Sequence, residues 1–356
     1  MSLKSERKGI DQVDKKLIEL LNKRTDLVKK IGKVKQKKHE SIYDAAREEE
    51  VLEKLLKQNK GSFPDSGLET VFREIFSVSR KVQQSLQISY LGPEASFTHM
   101  AALKHFGSQC DFNSCDSIEE VFANVEKDLG NFGVVPIENS LEGAVTSTYD
   151  TLINSGLNII AEISMEINHN LISKHRLRDL KRLYVHPLAY AQCKGWVSKH
   201  LPNIEIIEVS STSKGVESAS LYLHAAGIGS ELAATKYGLK IIAKNIQHGA
   251  NNYTRFLVIG KSITKAYKKS KTSIAFSTKH QSGALLTALE ALKKNKVNMT
   301  NIESRPAKNK NWEYVFFVDV QGHKDDKKVK KVLNEMEKNT LFLRVLGSYP
   351  EKSVYK

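Results

Sequence analysis

The chain has 356 residues, enough for two or three domains that each bury a core. With 40% hydrophobic residues it has the composition of an ordinary globular protein, and no apolar run reaches the length of about 18 residues needed to cross a membrane. The first residues, MSLKSERKGIDQ, lack the apolar core of a secretion signal. Three cysteines without a repeated CxxC favour reduced thiols in the cytoplasm over disulfides or a metal site.

The formal net charge of +15 raises the question of a polyanionic partner such as nucleic acid. The charge is spread along the whole chain, however, and its densest run, Lys29 to Lys38, lies inside a helical pattern. No zinc-finger spacing or aromatic–basic interleaving accompanies that run. The charge therefore favours a generally lysine-rich surface, which also speeds the approach of small dianionic substrates. A nucleic-acid binder stays as an alternative interpretation.

The region before Ile88 is predicted to be entirely helical. Apolar residues recur every three or four positions through residues 5–38, which predicts one long helix. At about 1.5 Å per residue, this helix would be roughly 50 Å long. Such a helix cannot bury its apolar stripe alone, so we expect a partner helix or a second subunit. Shorter helices are predicted at 44–58 and 67–85, separated by the turn-forming segment 61–67.

Two cations lie on the apolar stripe of the long helix. Arg24 is seven residues from both Leu17 and Ile31, and Lys35 is seven residues after Val28. At 100° per residue these positions are near the middle of the stripe. Either side chain could extend past its apolar neighbours to water. Two cations on one seam, however, indicate a cationic pocket between helices, because a buried cation is costly without an anion.

The two shorter helices carry polar groups that could line the same pocket. Asp44, Arg47 and Glu48 are three and four residues apart and share a helix face, an arrangement also found in surface salt-bridge clusters. Ser79 and Gln83 interrupt the apolar seam of the third helix one turn apart. Together with the two cations, these groups predict a polar pocket inside a helical bundle.

The string RKGIDQVDKKLIELLNKRTDLVKKIGKVK, followed by DAAREEE, resembles the all-α chorismate mutase domain. The resemblance covers residues 5–85 and implies an intertwined helical dimer. The implied substrate contacts are the carboxylates of chorismate for Arg24, Arg47, Ser79 and the other subunit's Arg7, the ether oxygen for Lys35 and Gln83, and the ring hydroxyl for Asp44 and Glu48.

The chemistry of that family matches these residue types. The conversion of chorismate to prephenate is a unimolecular sigmatropic rearrangement, so it needs no nucleophile or general base. The enzyme must hold a dianion in a compact conformation, which suits arginine forks. A buried lysine and an amide donor suit the negative charge that develops on the ether oxygen as the C–O bond breaks.

From Ile88 onward, buried strands alternate with helical stretches, which predicts an α/β domain. The polar, lysine-rich tract 261–273 is predicted to be a linker. The order βαββαβ then fills the last part of the chain and predicts a ferredoxin-like sandwich. The predicted fold class is therefore multidomain, all-α, then α/β, then α+β, with boundaries at 1–86, 87–262 and 271–356.

Five short strings in the α/β region combine strand ends with polar groups. Each alone is compatible with an ordinary loop. The strings are GPEASFTH (92–99), PIENSLEGAV (136–145), HPLAYAQC (186–193), SSTSKG (210–215) and NNYTRF (251–256). As an ordered set they resemble prephenate dehydratase, a two-lobed α/β fold similar to periplasmic binding proteins, with the active cleft between the lobes.

The resemblance implies that Thr254 is the acid that protonates the departing ring hydroxyl. Because a threonine hydroxyl is a poor acid, its neighbours must assist. Arg255 would fix a carboxylate or the local loop. Val185 and Ala95 depart from the family pattern, standing where serine and glycine are frequent. The other implied cleft residues are Glu138, Asn139, Ser140, Gln192, Thr212 and His186, the last being equally compatible with a structural role in a turn.

The predicted C-terminal sandwich contains the strings Gly283-Ala-Leu-Leu286 and Glu303-Ser-Arg-Pro306. Both resemble the phenylalanine-binding signatures of ACT regulatory domains. A glycine between strand and helix lets backbone amides approach an amino-acid carboxylate. Such domains usually pair between subunits, so effector binding could shift a quaternary equilibrium. The implied effector residues are Gly283, Ala284, Leu285, Leu286, Asn298, Glu303, Ser304, Arg305 and Pro306.

The sequence thus predicts an enzyme that converts chorismate to prephenate and then to phenylpyruvate, inhibited by L-phenylalanine. We expect a cytoplasmic homodimer or homotetramer without metal or organic cofactor, and without nucleic acid or membrane partners. A non-catalytic amino-acid sensor and the use of arogenate in place of prephenate stay open. A dinucleotide-dependent dehydrogenase is disfavoured, because the Gly227-Ile-Gly229 string has Leu232 at its third glycine position.

Overall fold

In the computed structural model the chain divides into two compact units. The first contains Met1–Leu86 together with the short segment Phe106–Asp111, and the second contains the rest of the chain. No helix in the described part of the chain combines the length and the apolar character that a bilayer crossing demands. The residues that the structure describes are 3–38, 40–249, 252–307 and 314–351.

The first unit is a helical bundle formed by α1 (Leu3–Lys37), α2 (Ala45–Gln58) and α3 (Asp65–Gln83). The all-helical prediction for this region is confirmed, with ends that differ by only a few residues. Helix α2 begins after Asp44, whose carboxylate accepts a hydrogen bond from the backbone N–H of Arg47 at 3.0 Å. Asp44 therefore caps α2, at a position where short acidic side chains are favoured.

Helix α1 buries little of its apolar stripe within one chain. Its buried residues are Val28 and Gly32, where α1 lies beside α3. An uncovered apolar stripe of this length is typical of an interface. The exposed apolar residues of the stripe are Ile10, Val13, Leu17, Leu20, Leu21, Leu27, Ile31 and Val34.

In its described residues the second unit contains three sheets. Buried strands are rich in valine and isoleucine, as expected for sheets covered on both faces. The strands are β1 (Gln87–Leu91), β2 (Asp111–Cys115), β3 (Phe132–Asn139), β4 (Gly143–Ala144), β5 (Asn158–Glu166), β6 (Asn170–Ser173), β7 (Arg182–Val185), β8 (Glu205–Glu208), β9 (Ala225–Gly229), β10 (Lys240–Ala243), β11 (Tyr253–Gly260), β12 (Ser270–Ser277), β13 (Met299–Pro306), β14 (Tyr314–Gln321) and β15 (Phe342–Pro350).

Helices separate many of these strands. Several begin at serine caps, such as Ser117, Ser211 and Ser230, whose hydroxyls accept from backbone N–H groups of the first turn. The helices are α4 (Phe97–Phe106), α5 (Ile118–Glu126), α6 (Thr146–Asn154), α7 (Pro187–His200), α8 (Thr212–Leu221), α9 (Glu231–Lys236), α10 (Ala284–Asn295) and α11 (Lys327–Lys338).

Two of the sheets form the lobes of the predicted α/β fold. The first lobe has the strand order β2-β1-β3-β11-β5, with β4 paired to β3, and the second has the order β10-β6-β9-β7-β8. The chain leaves the first lobe after β5 and returns to its centre as β11, between β3 and β5. The two-lobed prediction is confirmed. Strand β11 completes the first lobe after the chain has passed through the second lobe.

The third sheet has the order β13-β14-β12-β15 and is antiparallel throughout. Helices α10 and α11 pack on one face of it, around Ile274, Val318 and Met336. This βαββαβ arrangement confirms the predicted ferredoxin-like sandwich. On the other face, Phe317 and Tyr349 share a core with residues of the first lobe.

The predicted linker 261–273 is too long by four residues. Strand β12 begins at Ser270, and Ser270, Lys271, Thr272 and Ser273 are all buried. The prediction was wrong there because polar residues were taken as exposed. The ammonium of Lys271 lies 2.8 Å from the Glu162 carboxylate, and this pairing allows a charged residue to be buried.

Candidate active sites

The first site is the helical pocket, which we define by Arg24, Lys35, Glu48, Ser79 and Gln83. The guanidinium of Arg24 on α1 donates a hydrogen bond to the Ser79 hydroxyl on α3. Partial burial lowers the pKa of Arg24 from its ordinary value, and the negative charge of Glu48 offsets part of this effect. The structure therefore brings together groups from all three helices around a half-buried cation.

The close approach of α1 and α3 depends on Gly32. A Cβ atom at this position would lie 2.8 Å from Cγ of Gln83, so a larger residue would displace the Gln83 side chain. The Gln83 amide nitrogen donates to the Ser79 carbonyl at 3.0 Å, one turn earlier. Its Oε1 is buried without a hydrogen-bond partner among the described residues. Gln83 is thus held against α1, between the levels of Arg24 and Lys35.

Lys35 lies at the turn between α1 and α2. Its ammonium donates to the carbonyl oxygens of Ser41 at 3.0 Å and Ile42 at 2.8 Å. These carbonyls come just before Asp44, the cap of α2. The second cation of the stripe therefore lies beside the N-terminal end of α2, which carries Glu48 in its first turn.

Two other predicted residues lie outside the helical pocket within a single chain. Arg47 is 60% exposed and forms an ion pair with Glu50 at 2.6 Å on the surface of α2. Arg7 is exposed near the start of α1. Among the residues that the structure describes, no contact within one chain brings either guanidinium to Arg24 or Lys35.

Arg80 is a residue of this site that the sequence analysis missed. It is 3% exposed, and its guanidinium donates to the Glu48 carboxylate and to the Phe106 carbonyl. Burial alone would lower the pKa of Arg80, but the adjacent Glu48 raises it above its ordinary value. Its position four residues after the buried Phe76 is the signal that could have identified it. Arg80 holds Glu48 in the pocket.

The second site is the interlobe cleft, which we define by Asn139, His169, Gln192, Asn252 and Thr254. Strand pairing places Thr254 directly opposite Asn139. The Asn139 Oδ1 accepts from the backbone N–H groups of Leu141 at 2.9 Å and Glu142 at 3.0 Å, which fixes the orientation of the amide. Its nitrogen donates to Thr254 Oγ1 at 2.8 Å. The Thr254 oxygen therefore accepts from Asn139, and its own proton points elsewhere.

A hydrogen-bonded chain extends from Asn139 across the cleft. The Asn139 nitrogen also donates to Asn252 Oδ1 at 2.8 Å, and the Asn252 nitrogen donates to Gln192 Oε1 at 2.8 Å. The same Gln192 oxygen lies 3.0 Å from His169 Nε2, while the Gln192 nitrogen donates to Glu142 at 3.1 Å. Because Gln192 Oε1 only accepts, His169 carries its proton on Nε2.

His169 is neutral in the folded protein. Burial lowers its pKa to about 4, the hydrogen bond to Gln192 opposes this shift, and the proximity of His186 adds to it. Its Nδ1 is buried without a partner in the described part of the chain. His169 and Asn252 were not among the residues predicted from the sequence, although Asn252 stands two residues before Thr254 in the NNYTRF string.

The remaining predicted cleft residues have different positions. The Ser140 hydroxyl accepts from the Tyr253 backbone N–H at 2.9 Å and so ties the end of β3 to β11. His186 directly precedes α7, and Thr212 is the first residue of α8. Val185 is fully buried in the core of the second lobe.

Ala95, which stands where the family often has glycine, lies in the left-handed region with φ of 62°. Glycine adopts this conformation without the steric cost that a Cβ imposes. The Ala95 carbonyl accepts from the Ser230 hydroxyl at 3.0 Å, and its N–H donates to His99 Nδ1 at 3.1 Å. Two hydrogen bonds thus hold the strained residue in place.

Glu138 and Arg255 lie on the opposite face of their strands from Asn139 and Thr254. They pair with each other across β3 and β11. Successive residues of a strand point to opposite faces, so Thr254 faces the cleft while Arg255 faces away from it. Glu138 Oε2 accepts from the Asn301 amide on β13 at 3.2 Å.

The third site is a surface pocket beside the start of α10, which we call the effector pocket. It is lined by Gly283, Ala284, Leu285 and Leu286 together with residues of the preceding loop and of β14, namely Thr278, Lys279, His280, Gln281, Tyr314 and Phe316. Gly283 caps α10 with φ of +80°, a conformation that favours glycine.

The second predicted effector string lies next to the effector pocket. Glu303, Ser304, Arg305 and Pro306 are on the edge strand β13, where Ser304 pairs with Phe316 and Pro306 with Tyr314. Asn298, in contrast, is at the far end of β14, where its carbonyl accepts from the Gln321 N–H at 2.9 Å. The structure brings the two strings together and leaves Asn298 apart.

A helical pocket of cations, a two-lobed cleft of polar groups and a ferredoxin-like sandwich define a bifunctional enzyme with a regulatory domain. Comparison with known families agrees. Residues 6–84 match the model for chorismate mutase type II, residues 88–264 match prephenate dehydratase, and residues 272–338 match the ACT domain.

Relatives match over the whole length. The bifunctional chorismate mutase/prephenate dehydratase of Aquifex aeolicus is 44% identical over 354 residues, covering 98% of each chain. That of Neisseria gonorrhoeae is 37% identical, covering 97% of this chain and 96% of its own. A solved structure, prephenate dehydratase from Arthrobacter aurescens in complex with L-Phe, superimposes with a TM-score of 0.70 at 30% identity, covering 75% of this chain and 90% of its own.

This chain belongs to the family of bifunctional chorismate mutase/prephenate dehydratases. It carries both enzymatic domains and an ACT domain in one polypeptide. The predicted family, fold class and pair of activities are confirmed.

Proposed function

We propose that the helical pocket rearranges chorismate, that the interlobe cleft dehydrates and decarboxylates prephenate, and that L-phenylalanine bound in the effector pocket inhibits the enzyme. The observation that carries this proposal is the orientation of Thr254, whose oxygen accepts from Asn139 at 2.8 Å. This leaves the hydroxyl as a donor toward the cleft, as an acid for the departing hydroxyl of prephenate must be.

In the helical pocket, Arg24 binds a carboxylate of chorismate. Partial burial penalises the Arg24 cation, and a bound dianion relieves this penalty. Lys35 and the Gln83 amide stabilise the ether oxygen as its bond to carbon breaks, which requires Gln83 to turn its nitrogen from the Ser79 carbonyl. Glu48, fixed by Arg80, accepts from the ring hydroxyl together with Asp44.

A second copy of the chain completes the helical pocket. Arg7 and Arg24 are 17 residues apart on one helix, or about 25 Å, so Arg7 is too far from the pocket of its own chain. The exposed stripe of α1 gives a partner helix an apolar surface to cover. An antiparallel partner brings its Arg7 to Arg24. The protein is therefore a homodimer, or a tetramer built from such dimers.

In the interlobe cleft, Thr254 transfers its proton to the ring hydroxyl of prephenate as the C–O bond breaks. The electron pair of the bond to the ring carboxylate completes the aromatic ring, so that water and carbon dioxide leave together. The amide of Asn139 donates to the oxygen on which negative charge develops, which makes the threonine a stronger acid. The neutral chain through Asn252, Gln192 and His169 keeps this amide in place.

The ACT domain senses the product of the pathway. L-phenylalanine binds in the effector pocket, with its carboxylate at the N-terminal end of α10 and its ring against Tyr314 and Phe316. The solved dehydratase from Arthrobacter aurescens that contains L-Phe supports this assignment. We also propose that the string Glu303–Pro306 contacts the effector across a pairing of two ACT domains, which is supported by its position on the edge strand β13.

The domain boundaries 1–86, 87–262 and 271–356 stay part of the proposal. They agree with the end of α3 at Gln83, the start of β1 at Gln87 and the start of β12 at Ser270. The segment Phe106–Asp111 nevertheless clusters with the helical unit. We also propose a cytoplasmic location, supported by three buried free cysteines, Cys110, Cys115 and Cys193.

The test is a coupled assay in which the purified chain receives chorismate and the product is identified. The proposal expects phenylpyruvate without any added enzyme, and less of it when L-phenylalanine is present. A product that stops at prephenate would contradict the dehydratase assignment. Unchanged turnover with phenylalanine would contradict the effector assignment, and faster turnover of arogenate than of prephenate would reassign the substrate.

A further inference from the structure

The hydrogen-bonded chain of the interlobe cleft has one direction, which is set at its Asn139 end. Two backbone N–H groups donate to Asn139 Oδ1, so the Asn139 nitrogen faces Asn252 and donates to its Oδ1 at 2.8 Å. The Asn252 nitrogen must then face Gln192, where it donates to Oε1 at 2.8 Å. Gln192 therefore turns its own nitrogen out of the chain, as a donor that no other member of the chain uses.

This Gln192 nitrogen is the donor of the chain that a substrate can reach. Both hydrogens of the Asn139 nitrogen are engaged, one by Asn252 and the other by Thr254. Asn252 and His169 are buried, whereas Gln192 is half-buried. Prephenate is a dianion, and its carboxylates require hydrogen-bond donors. A carboxylate of the substrate can therefore bind at Gln192 Nε2.

In this structure a carboxylate of the chain itself accepts from that nitrogen. Gln192 Nε2 donates to Glu142 Oε1 at 3.1 Å. Gln192 lies on α7 of the second lobe, and Glu142 lies in the turn between β3 and β4 of the first lobe, so the contact crosses the cleft. Within the described ranges of the chain, Glu142 forms no ion pair with a lysine, arginine or histidine. A carboxylate without a cation thus lies in a cleft that has to accept a dianion.

The backbone of Glu142 is fixed, while its side chain can turn. Its N–H donates to Asn139 Oδ1 at 3.0 Å, and the next residue, Gly143, pairs with Asn139 across the short ladder of β3 and β4. The side chain of Glu142 is exposed, and an exposed carboxylate that gives up one hydrogen bond regains it from water. A rotation of this side chain therefore releases Gln192 Nε2 without moving Asn139 or Thr254.

Glu142 and a substrate carboxylate exclude each other at Gln192. The amide nitrogen has two hydrogens, but two carboxylates bound to the same nitrogen lie close together and repel each other. A substrate carboxylate must then displace Glu142. The apparent affinity for the substrate is reduced by the fraction of the protein in which Glu142 already holds the donor.

We infer that Glu142 is a specificity-determining residue of the interlobe cleft, an internal competitor that a carboxylate of prephenate displaces from Gln192 Nε2. The inference rests on the proposed function of the cleft as the site that dehydrates prephenate. It makes tight binding conditional on a carboxylate that reaches Gln192, because Glu142 keeps the donor from any ligand without one.

The test is the full-length variant Glu142→Ala, assayed with added prephenate by the formation of phenylpyruvate. KM should fall about threefold or more because the competitor is absent, while kcat stays within about twofold of wild type because Asn139 and Thr254 keep their places. Glu119→Ala removes an exposed carboxylate of α5 and is the matched control, which should keep the wild-type KM. An unchanged or higher KM in Glu142→Ala would overturn the inference.

Glu142→Asp separates competition from the effect of charge alone. Aspartate keeps the negative charge, but its carboxylate is withdrawn by one carbon–carbon bond, about 1.5 Å, from a backbone that Asn139 holds in place. The hydrogen bond to Gln192 is then out of range, so KM should fall about twofold or more. A wild-type KM in Glu142→Asp would assign the gain in Glu142→Ala to the loss of charge and overturn the inference.

A double-variant cycle tests whether Glu142 acts through Gln192. Gln192→Met removes the donor and should raise KM, and Glu142→Ala added to it should lower KM less than about 1.5-fold. A threefold fall in that background would place the action of Glu142 elsewhere and contradict the inference. Should Gln192→Met be too slow for a KM, Glu142→Ala and Glu142→Asp decide alone. Wild-type protein that does not turn over prephenate would instead contradict the proposed function.

Discussion

The helical pocket and the interlobe cleft solve two different chemical problems with two different sets of side chains. The helical pocket presents charged groups, Arg24 and Lys35, to a reaction that only redistributes charge within a dianion. The cleft presents a neutral hydrogen-bonded chain to a reaction that needs a proton delivered in one direction. In the cleft the order of donors and acceptors matters, and Arg255, adjacent to Thr254, faces away from it.

The largest expected effect is the loss of the acid in the cleft. Thr254→Val keeps the shape of the side chain but removes the hydroxyl, so dehydration of prephenate should fall by about a thousandfold, in the range for general acids. Conversion of chorismate to prephenate should stay unchanged. The exposed Thr235→Val is the matched control, and stopped assays with each substrate are the measurement. Substantial dehydration by Thr254→Val would show that another group donates the proton.

Removal of the second cation of the helical pocket should have a comparable effect on the other reaction. Lys35→Ala removes the charge that stabilises the ether oxygen, so chorismate mutase kcat should fall about a hundredfold or more. Dehydration of added prephenate should be spared. Lys33→Ala, on the exposed side of the same helix, is the control and should keep full activity. Equal losses in both variants would mean that overall charge, and not the pocket, binds chorismate.

Loss of the buried partner of Glu48 should reduce stability as well as activity. Arg80→Met leaves Glu48 without its cation, and breaking such a pair costs about 3 kcal/mol or more in the free energy of unfolding. Urea denaturation of the full chain measures this cost. The double variant Arg80→Met/Glu48→Gln should recover part of it, since no charge is then left unpaired. An additive loss in the double variant would contradict the pairing.

The buried, neutral His169 of the interlobe cleft predicts that the free energy of unfolding depends on pH. The folded pKa of His169 is about 4, below the ordinary value of about 6.5. Between these values the unfolded chain binds the proton and the folded chain does not, so stability is lost as pH falls from about 6.5 to about 4, by up to about 3 kcal/mol.

His169→Gln should flatten this dependence on pH, because glutamine does not titrate. The matched control is His200→Gln at an exposed position, which should keep the wild-type slope. Denaturation midpoints measured at a series of pH values between 4 and 7 distinguish the two. A wild-type slope in His169→Gln would assign the acid sensitivity to other groups.

The sequence was most informative where a charged residue occupies a position that the helical period assigns to an apolar stripe. Arg24 and Lys35 stand out because these cations interrupt an apolar stripe. The helices of the first region, the α/β region and the βαββαβ order were predicted from the spacing of apolar residues alone. Arg80 also follows an apolar seam, one turn after Phe76, but only the fold reveals its partner Glu48, which is 32 residues away. Lys271 was placed in a linker, because only the fold reveals the carboxylate that neutralises it.

The roles within the TRF string likewise depend on three-dimensional pairing. Adjacent residues of a strand face opposite ways, but which of Thr254 and Arg255 faces the cleft is set by the sheet and its register. His169 and Asn252 could be identified only from their hydrogen bonds to Gln192, which joins them across the cleft. Hydrogen-bond direction cannot be read from residue spacing.

The most direct test of the two-site account uses Lys35→Ala and Thr254→Val together. Each variant alone, given chorismate, should produce phenylpyruvate far more slowly than the wild type, the first because chorismate is rearranged slowly and the second because prephenate accumulates. A mixture of the two purified proteins should restore phenylpyruvate formation, since prephenate released by one reaches the cleft of the other. Loss of both activities in either single variant, or phenylpyruvate formation at the wild-type rate by Thr254→Val alone, would contradict the account.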